Sequence, residues 1–135
     1  MAVDIHPPGK ITFELVSPER LLLSQQVDMV VVPGSEGFFA VLIGHTPLIS
    51  TLKPGLIEVY DAGRIIERIF VGGGFAEATP DRCVVLAETA LPLGEIDRTR
   101  VVERIQEIRG LEASAANLAE LAVQEAMLQA LDRAA

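Results

Sequence analysis

All eight prolines and ten of the eleven glycines fall before Asp97; beyond it the chain keeps one glycine, Gly110, and no proline. This uneven punctuation limits the fold more than anything else in the sequence. Proline removes a backbone donor and clashes with the preceding helical turn, and glycine weakens helices. Long helices are therefore barred from the first part, while the second part is free to form them.

Between the breaks of the first part lie short apolar runs: ITFELV (11–16), VDMVVV (27–32), FFAVLI (38–43), LIEVY (56–60), RIIERIFVG (64–72) and RCVVLAE (82–88). They are rich in β-branched residues and end in turn chemistry such as Pro33-Gly34, Asp61-Ala62-Gly63 and Thr79-Pro80-Asp81, so each predicts a strand. LLLSQQ (21–26) is a weaker strand candidate. Turns spaced by about ten residues suit a sandwich or barrel. Val30–Val32 and Cys83–Leu86 are apolar on both faces, which predicts a double-layer sheet with a second covered surface.

After Pro92 the period lengthens. Asp97 can cap a helix on which Val101, Val102, Ile105 and Ile108 form one stripe, and Gly110 can end it. The rest is again helical by composition, with nine alanines in 113–135. Ala115, Leu118, Ala119, Ala122 and Ala126 share a broad face, and small residues there let two helices approach closely. A helical hairpin is the simplest assembly, and one so small must dock on something. The domain reading is a β domain over 1–93 and a helical hairpin over 94–135.

Half of the residues are hydrophobic but only 4% are aromatic and tryptophan is absent, so the core is built from Val, Leu, Ile and Ala. A net charge of −8 argues against nucleic acid, which needs clustered Lys and Arg, and against a polybasic hold on a membrane. One cysteine, Cys83, allows no internal disulfide and no multi-cysteine metal site, and is read as a buried strand residue. The start, MAVDIHPPGK, carries neither the apolar region of a secretion signal nor a transit-peptide pattern. No apolar run approaches the length of about 18 residues that spans a bilayer, so any membrane association comes through a partner.

With two histidines and no Ser/His/Asp or metal-ligating cluster, the sequence offers no catalytic constellation. Gly72-Gly73-Gly74 invites comparison with a phosphate-binding loop. Phe75-Ala-Glu-Ala-Thr79 follows as a strand rather than a helix, however, so a bulge or close backbone packing is the better reading.

Six short motifs then carry a resemblance: Gly34-Ser-Glu-Gly37, Gly44-His-Thr-Pro-Leu48, Leu52-Lys-Pro-Gly55, Phe70-Val-Gly-Gly-Gly74, Val85-Leu-Ala-Glu-Thr89 and Glu95-Ile-Asp-Arg-Thr-Arg100. In order and spacing they resemble the epsilon subunits of F-type ATP synthases, from about Ile11 to Arg100 and more loosely beyond. The resemblance implies a mainly β plus α fold, a flattened β-sandwich followed by an antiparallel two-helix hairpin. It further implies a non-catalytic rotor subunit that grips the gamma shaft and the polar loops of the c-ring of a proton-translocating enzyme. The location implied is the cytoplasmic face of the bacterial inner membrane.

The partner-facing turns would be those of Ser35, Glu36 and Gly37 and of His45 and Thr46. Gly34 and Gly37 could equally serve only a tight turn, and His45 only a neighbouring backbone group. Phe38 and Phe39 stand where some relatives carry a polar or acidic residue: exposed, they would anchor a partner, and buried, they would fill the sandwich. Some family members bind ATP through a motif matched here by Ile96, Asp97 and Arg100, but Asp97 also reads as a plain helix cap with Arg100 three residues on, and the departures that follow favour that reading. Leu91, Glu107, Glu125 and Gln129 stand where ATP-binding members carry a glutamate and arginines. The expectation is that ATP does not bind and that no cofactor is needed. The second helix, with four acids to one base, would meet the catalytic beta subunit weakly and inhibit hydrolysis little. The competing reading is a stand-alone β-sandwich adaptor with a docking hairpin.

Overall fold

The structure is a computed structural model that describes residues 9–134. Most of the N-terminal stretch read for a targeting signal lies outside the described residues. Among those described, ten strands precede two helices. The strands are β1 (Ile11–Val16), β2 (Leu21–Val27), β3 (Met29–Gly34), β4 (Gly37–Val41), β5 (Leu48–Leu52), β6 (Gly55–Asp61), β7 (Arg64–Val71), β8 (Gly74–Thr79), β9 (Arg82–Leu86) and β10 (Ala90–Pro92). A short 3-10 turn (Leu93–Glu95) leads into α1 (Arg98–Arg109) and α2 (Ala115–Ala134).

The sheet runs in the order β10-β7-β6-β3-β5-β8-β9-β1-β2, with β4 on the flank of β3. Pairing between β3 and β5 is the single step Gly34 to Leu52, and there the sheet folds over on itself. One layer is then β10-β7-β6-β3-β4 and the other β5-β8-β9-β1-β2. All pairs are antiparallel except β1 with β9. Val30, Val32, Val41, Ile57, Val59 and Val71 from the first layer meet Ile11, Phe13, Val27, Ala76, Cys83 and Val85 from the second in one buried core. Burial of the Cys83 thiol in that core pushes its pKa up to about 12, so it is an inert packing residue.

The expected second covered surface exists, but not on Val30–Val32 or Cys83–Leu86. It lies on the outer side of β6 and β7, where Leu56 pairs with Phe70 and Phe70 is fully buried against Val101, Ile105, Met127 and Ala130 of the helices. The helical stripe of α1 is Val101, Ile105 and Ile108, as the spacing predicts, except that Val102 is left exposed. The face expected of α2 is not the one used. Of the expected face only Ala126 packs; Ala115, Leu118, Ala119 and Ala122 are exposed, and the helix is seated by Leu121, Met127, Leu128 and Ala130. Larger side chains bury more apolar area than alanine, so they decide which way the helix turns. Gly110 does end α1, but with ordinary right-handed backbone (φ −85°) rather than the left-handed form usual at that position.

Beyond β8, read from Phe75–Thr79, two strands had no counterpart in the sequence reading. Leu48–Leu52 contains Ser50 and Thr51 and follows the Gly44–Pro47 turn, while β10 is three residues long and includes Pro92. Both lack the unbroken hydrophobic signal by which strands are read.

Candidate functional site

Ser35 and Glu36 form the two-residue turn between β3 and β4, closed by the Gly34–Gly37 pair. A β-carbon on Gly34 would sit 2.7 Å from the Gly37 carbonyl oxygen, and Gly37 has φ +132°, so the flanking glycines are demanded by the turn. Ser35 is tied across to β5: its backbone N–H donates to the Thr51 carbonyl at 2.9 Å, and its hydroxyl donates to the same oxygen at 2.8 Å. Glu36 is exposed and points its charge to solvent from a fixed turn. Ser35, Glu36, Gly37, Phe38 and Phe39 line a broad hollow of about 500 Å³ with Leu48–Thr51 of β5. The two phenylalanines divide the alternatives between them. Phe38 is 53% exposed, whereas Phe39 packs on the core.

His45 lies on the next loop, half-buried, with its ring 6.3 Å from that of Phe39. Its Nδ1 is 2.6 Å from the Thr46 carbonyl oxygen, and its backbone N–H donates to Leu42 at 3.1 Å. Gly44 N–H donates to the Pro80 carbonyl at 2.6 Å, pinning the loop to the β8–β9 turn. Thr46 is exposed beside it. Phe39 thus links the two expected turns, which form one rim at an edge of the sandwich. Leu42 and Ile43 add exposed apolar area to that rim.

A second surface went unread in the sequence. On the outer side of the β5-β8-β9-β1-β2 layer, the register places Thr51 beside Phe75, Phe75 beside Leu86, Leu86 beside Val16 and Val16 beside Leu21. Phe75 and Leu21 are each 53% exposed and Leu86 44%, while Ile49, one step along β5, is 70% exposed. Single exposed apolar residues are ordinary; here an apolar row crosses the four strands β8, β9, β1 and β2, with Ile49 beside it on β5, and contiguous apolar patches of this kind are where partners dock. The signal was present in the two-sided apolar run Cys83–Leu86, yet only strand register shows which neighbours stand beside Leu86. Beside this row the Gly72–Gly74 segment is packed as read: a β-carbon on Gly74 would meet the Leu86 carbonyl oxygen at 2.1 Å.

Asp97 caps the start of α1, and Arg100 lies in its first turn. One Asp97 oxygen accepts from the backbone N–H groups of Thr99 (3.0 Å) and Arg100 (3.4 Å), which is the geometry of a helix cap. The acids of α2 are engaged by arginines of α1. Arg104 grips Glu120 through two bonds of 2.7 Å and also bonds Glu107 at 3.0 Å, Arg109 bonds Glu125 at 3.0 Å, and Arg98 pairs with Asp132. The hydrogen bonds from Arg104 hold the Glu120 carboxyl below its ordinary range, and those carboxylates raise Arg104 in turn.

Residues 10–93 match the family model described as the ATP synthase delta/epsilon chain beta-sandwich domain. The ATP synthase epsilon chain of Parvibaculum lavamentivorans is 56% identical over 96 residues, covering 71% of this chain and 73% of the relative. That of Rhodospirillum rubrum is 51% identical over 122 residues, covering 88% of this chain and 91% of the relative. Among solved structures, a chain of the Euglena gracilis mitochondrial ATP synthase (OSCP/F1/c-ring, rotational state 1) superposes with a TM-score of 0.76 at 25% identity, covering 99% of this chain and 86% of that one. A chain of the Tetrahymena thermophila mitochondrial ATP synthase central stalk and c-ring shares the fold at 13% identity, with a TM-score of 0.60 and cover of 93% and 96%.

Proposed function

The chain belongs to the ATP synthase epsilon family, a non-catalytic subunit of that enzyme, and from that premise we propose that it couples the c-ring to the gamma shaft of a proton-translocating rotor. The observation that carries the reading is the apolar row of Ile49, Phe75, Leu86 and Leu21, left open on a sandwich whose other outer face is covered by its own hairpin. That row takes the shaft. The rim of Ser35, Glu36, Gly37, Phe38, His45 and Thr46 takes the polar loops of the ring. Torque then passes between two grips on one packed body, and a close-packed interior transmits strain with little yielding. Among the described residues no helix is long and apolar enough to cross a membrane, and the subunit is peripheral, held through its partners at the cytoplasmic face of a bacterial inner membrane. The stand-alone adaptor reading loses its ground with the family match over residues 10–93.

The hairpin inhibits ATP hydrolysis little. Glu120, Glu125 and Asp132 are paired with arginines of α1, which leaves Arg133 as the one base in Leu111–Ala135 to meet an acidic partner. Contact with the catalytic beta subunit is weak, and ATP is not held at Asp97 and Arg100. Millimolar ATP should therefore leave the melting temperature of the subunit unchanged, and removing residues 97–135 should barely raise hydrolysis by the assembled enzyme. A several-fold rise, or a clear thermal shift, would reverse this reading.

Photo-crosslinkers carried by cysteines at Glu36→Cys and, separately, Phe75→Cys test the two grips in the assembled enzyme. The native thiol of Cys83 is buried and stays unlabelled. Position 36 should capture the c subunit and position 75 the gamma subunit. Exchange of the two products, or capture of neither partner, contradicts the assignment.

A further inference from the structure

The guanidinium carbon of Arg133, in the last turn of α2, stands 5.3 Å from the centre of the Phe38 ring. Phe38 is the second residue of β4, one place beyond the Gly37 that closes the Ser35-Glu36 turn, so the far end of the hairpin touches the rim itself. Elsewhere the hairpin rests on β6 and β7 through the small cluster around Phe70 and Leu56. Beside the Arg133–Phe38 contact the packing opens into two hollows. One, of about 60 Å³, is bounded by Leu56, Glu58 and Arg68; the other, of about 260 Å³, by Pro33, Lys53, Ala126 and Gln129. The last turn of α2 therefore borders open space, held by Ala130 in the Phe70 cluster, by Asp132 on Arg98 of α1 and, toward the rim, by Arg133 on one aromatic ring.

We propose that Arg133 over Phe38 is a latch that joins the hairpin end to the partner-facing turn, so that the docking of α2 and the occupation of this turn are thermodynamically linked. A cation over an aromatic face is attracted by the ring quadrupole, and a partner that covers Phe38 must either keep Arg133 on the ring or displace it. Linkage is reciprocal: whatever displaces Arg133 loosens the end of α2, and a loosened α2 uncovers Phe38. Only this last consequence rests on the proposed role of the turn; the latch is a property of the free subunit.

Amide hydrogen exchange on the full chain tests it without any partner. Arg133→Gln and Phe38→Leu should each raise the opening of amides in residues 127–134 by roughly two- to five-fold, the worth of an exposed cation–π contact. The double variant should open no faster than either single one, because both remove the same contact. Arg133→Lys should recover part of the protection. Amides of β1 and β9, in the sandwich core, serve as the internal reference and should stay unchanged, since both substituted side chains are largely exposed. Unchanged exchange in the single variants, or additive effects in the double one, overturns the latch. A subunit that shows the latch yet fails to crosslink the ring through position 36 would instead overturn the reading of the turn.

Discussion

The two outer faces of the sandwich carry similar side chains and meet opposite fates. On β7, Phe70 projects outward and is fully buried, because the hairpin lies over it. On β8, Phe75 also projects outward and remains 53% exposed beside Leu86, Leu21 and Ile49. Strand chemistry alone does not separate the two. What differs is whether this chain brings its own cover. The covered face stabilises the fold and fixes the hairpin, whereas the open one is the face on which the proposed shaft contact rests. A rotor subunit needs both, a rigid body and a place to be held.

The sharpest test of that contrast is to remove each ring. Phe70→Ala leaves a hole between sheet and hairpin and should cost about 3–5 kcal/mol of unfolding free energy. Phe75→Ala should change stability by no more than about 0.5 kcal/mol, as exposed substitutions do. Chemical denaturation of both variants reads the difference, and equal losses would mean that the two faces are not distinct.

How much of this contrast was legible follows from where information sits in the chain. The strands bounded by proline and glycine, the cap at Asp97 and the buried stripe Val101–Ile105–Ile108 are local patterns, and they stand as read. The turn of Ser35 and Glu36 was legible for the same reason, since Gly34 and Gly37 mark it. The open face was not. Phe75, Leu86 and Leu21 lie far apart in sequence and become neighbours only through register, including the parallel pairing of β1 with β9. The face of α2 was misread because alanine is compatible with either side of a helix, and the choice falls to Leu121, Met127 and Leu128, which gain more from burial. The arginine pairs across the hairpin were also hidden, being set by the approach of two helices rather than by spacing within one.

A smaller effect probes the cover itself. Asp97→Ala removes an oxygen that satisfies two backbone donors and should destabilise α1 by about 1 kcal/mol. Amide exchange across Arg98–Arg109 should rise accordingly while the strands keep their protection; a matching rise in β1 and β9 would mean that hairpin and sandwich open as one unit.

Acid gives the smallest effect. The Glu120 carboxyl is held below its ordinary value of 4.5 by its hydrogen bonds with Arg104. A depressed carboxyl contributes stability that is complete above its unfolded value and lost as pH falls through the folded one. Pairing of α1 with α2 should thus be indifferent to pH between about 8 and 5 and weaken below about 4.5, visibly at low salt, because the pair is exposed to screening. Glu120→Gln should flatten the acid limb in helix-monitored titrations. An unaltered limb would assign the acid sensitivity to other carboxyls.

The central claim is that the open face, rather than the covered one, holds the shaft, and calorimetric binding of the full-length subunit to a gamma-type shaft protein tests it most directly. Phe75→Asp should weaken binding by at least about thirty-fold, the worth of one interface anchor, without moving the unfolding midpoint. Leu118→Asp, at an equally exposed apolar position on α2, should leave binding unchanged. Undiminished affinity in the Phe75 variant would contradict the account.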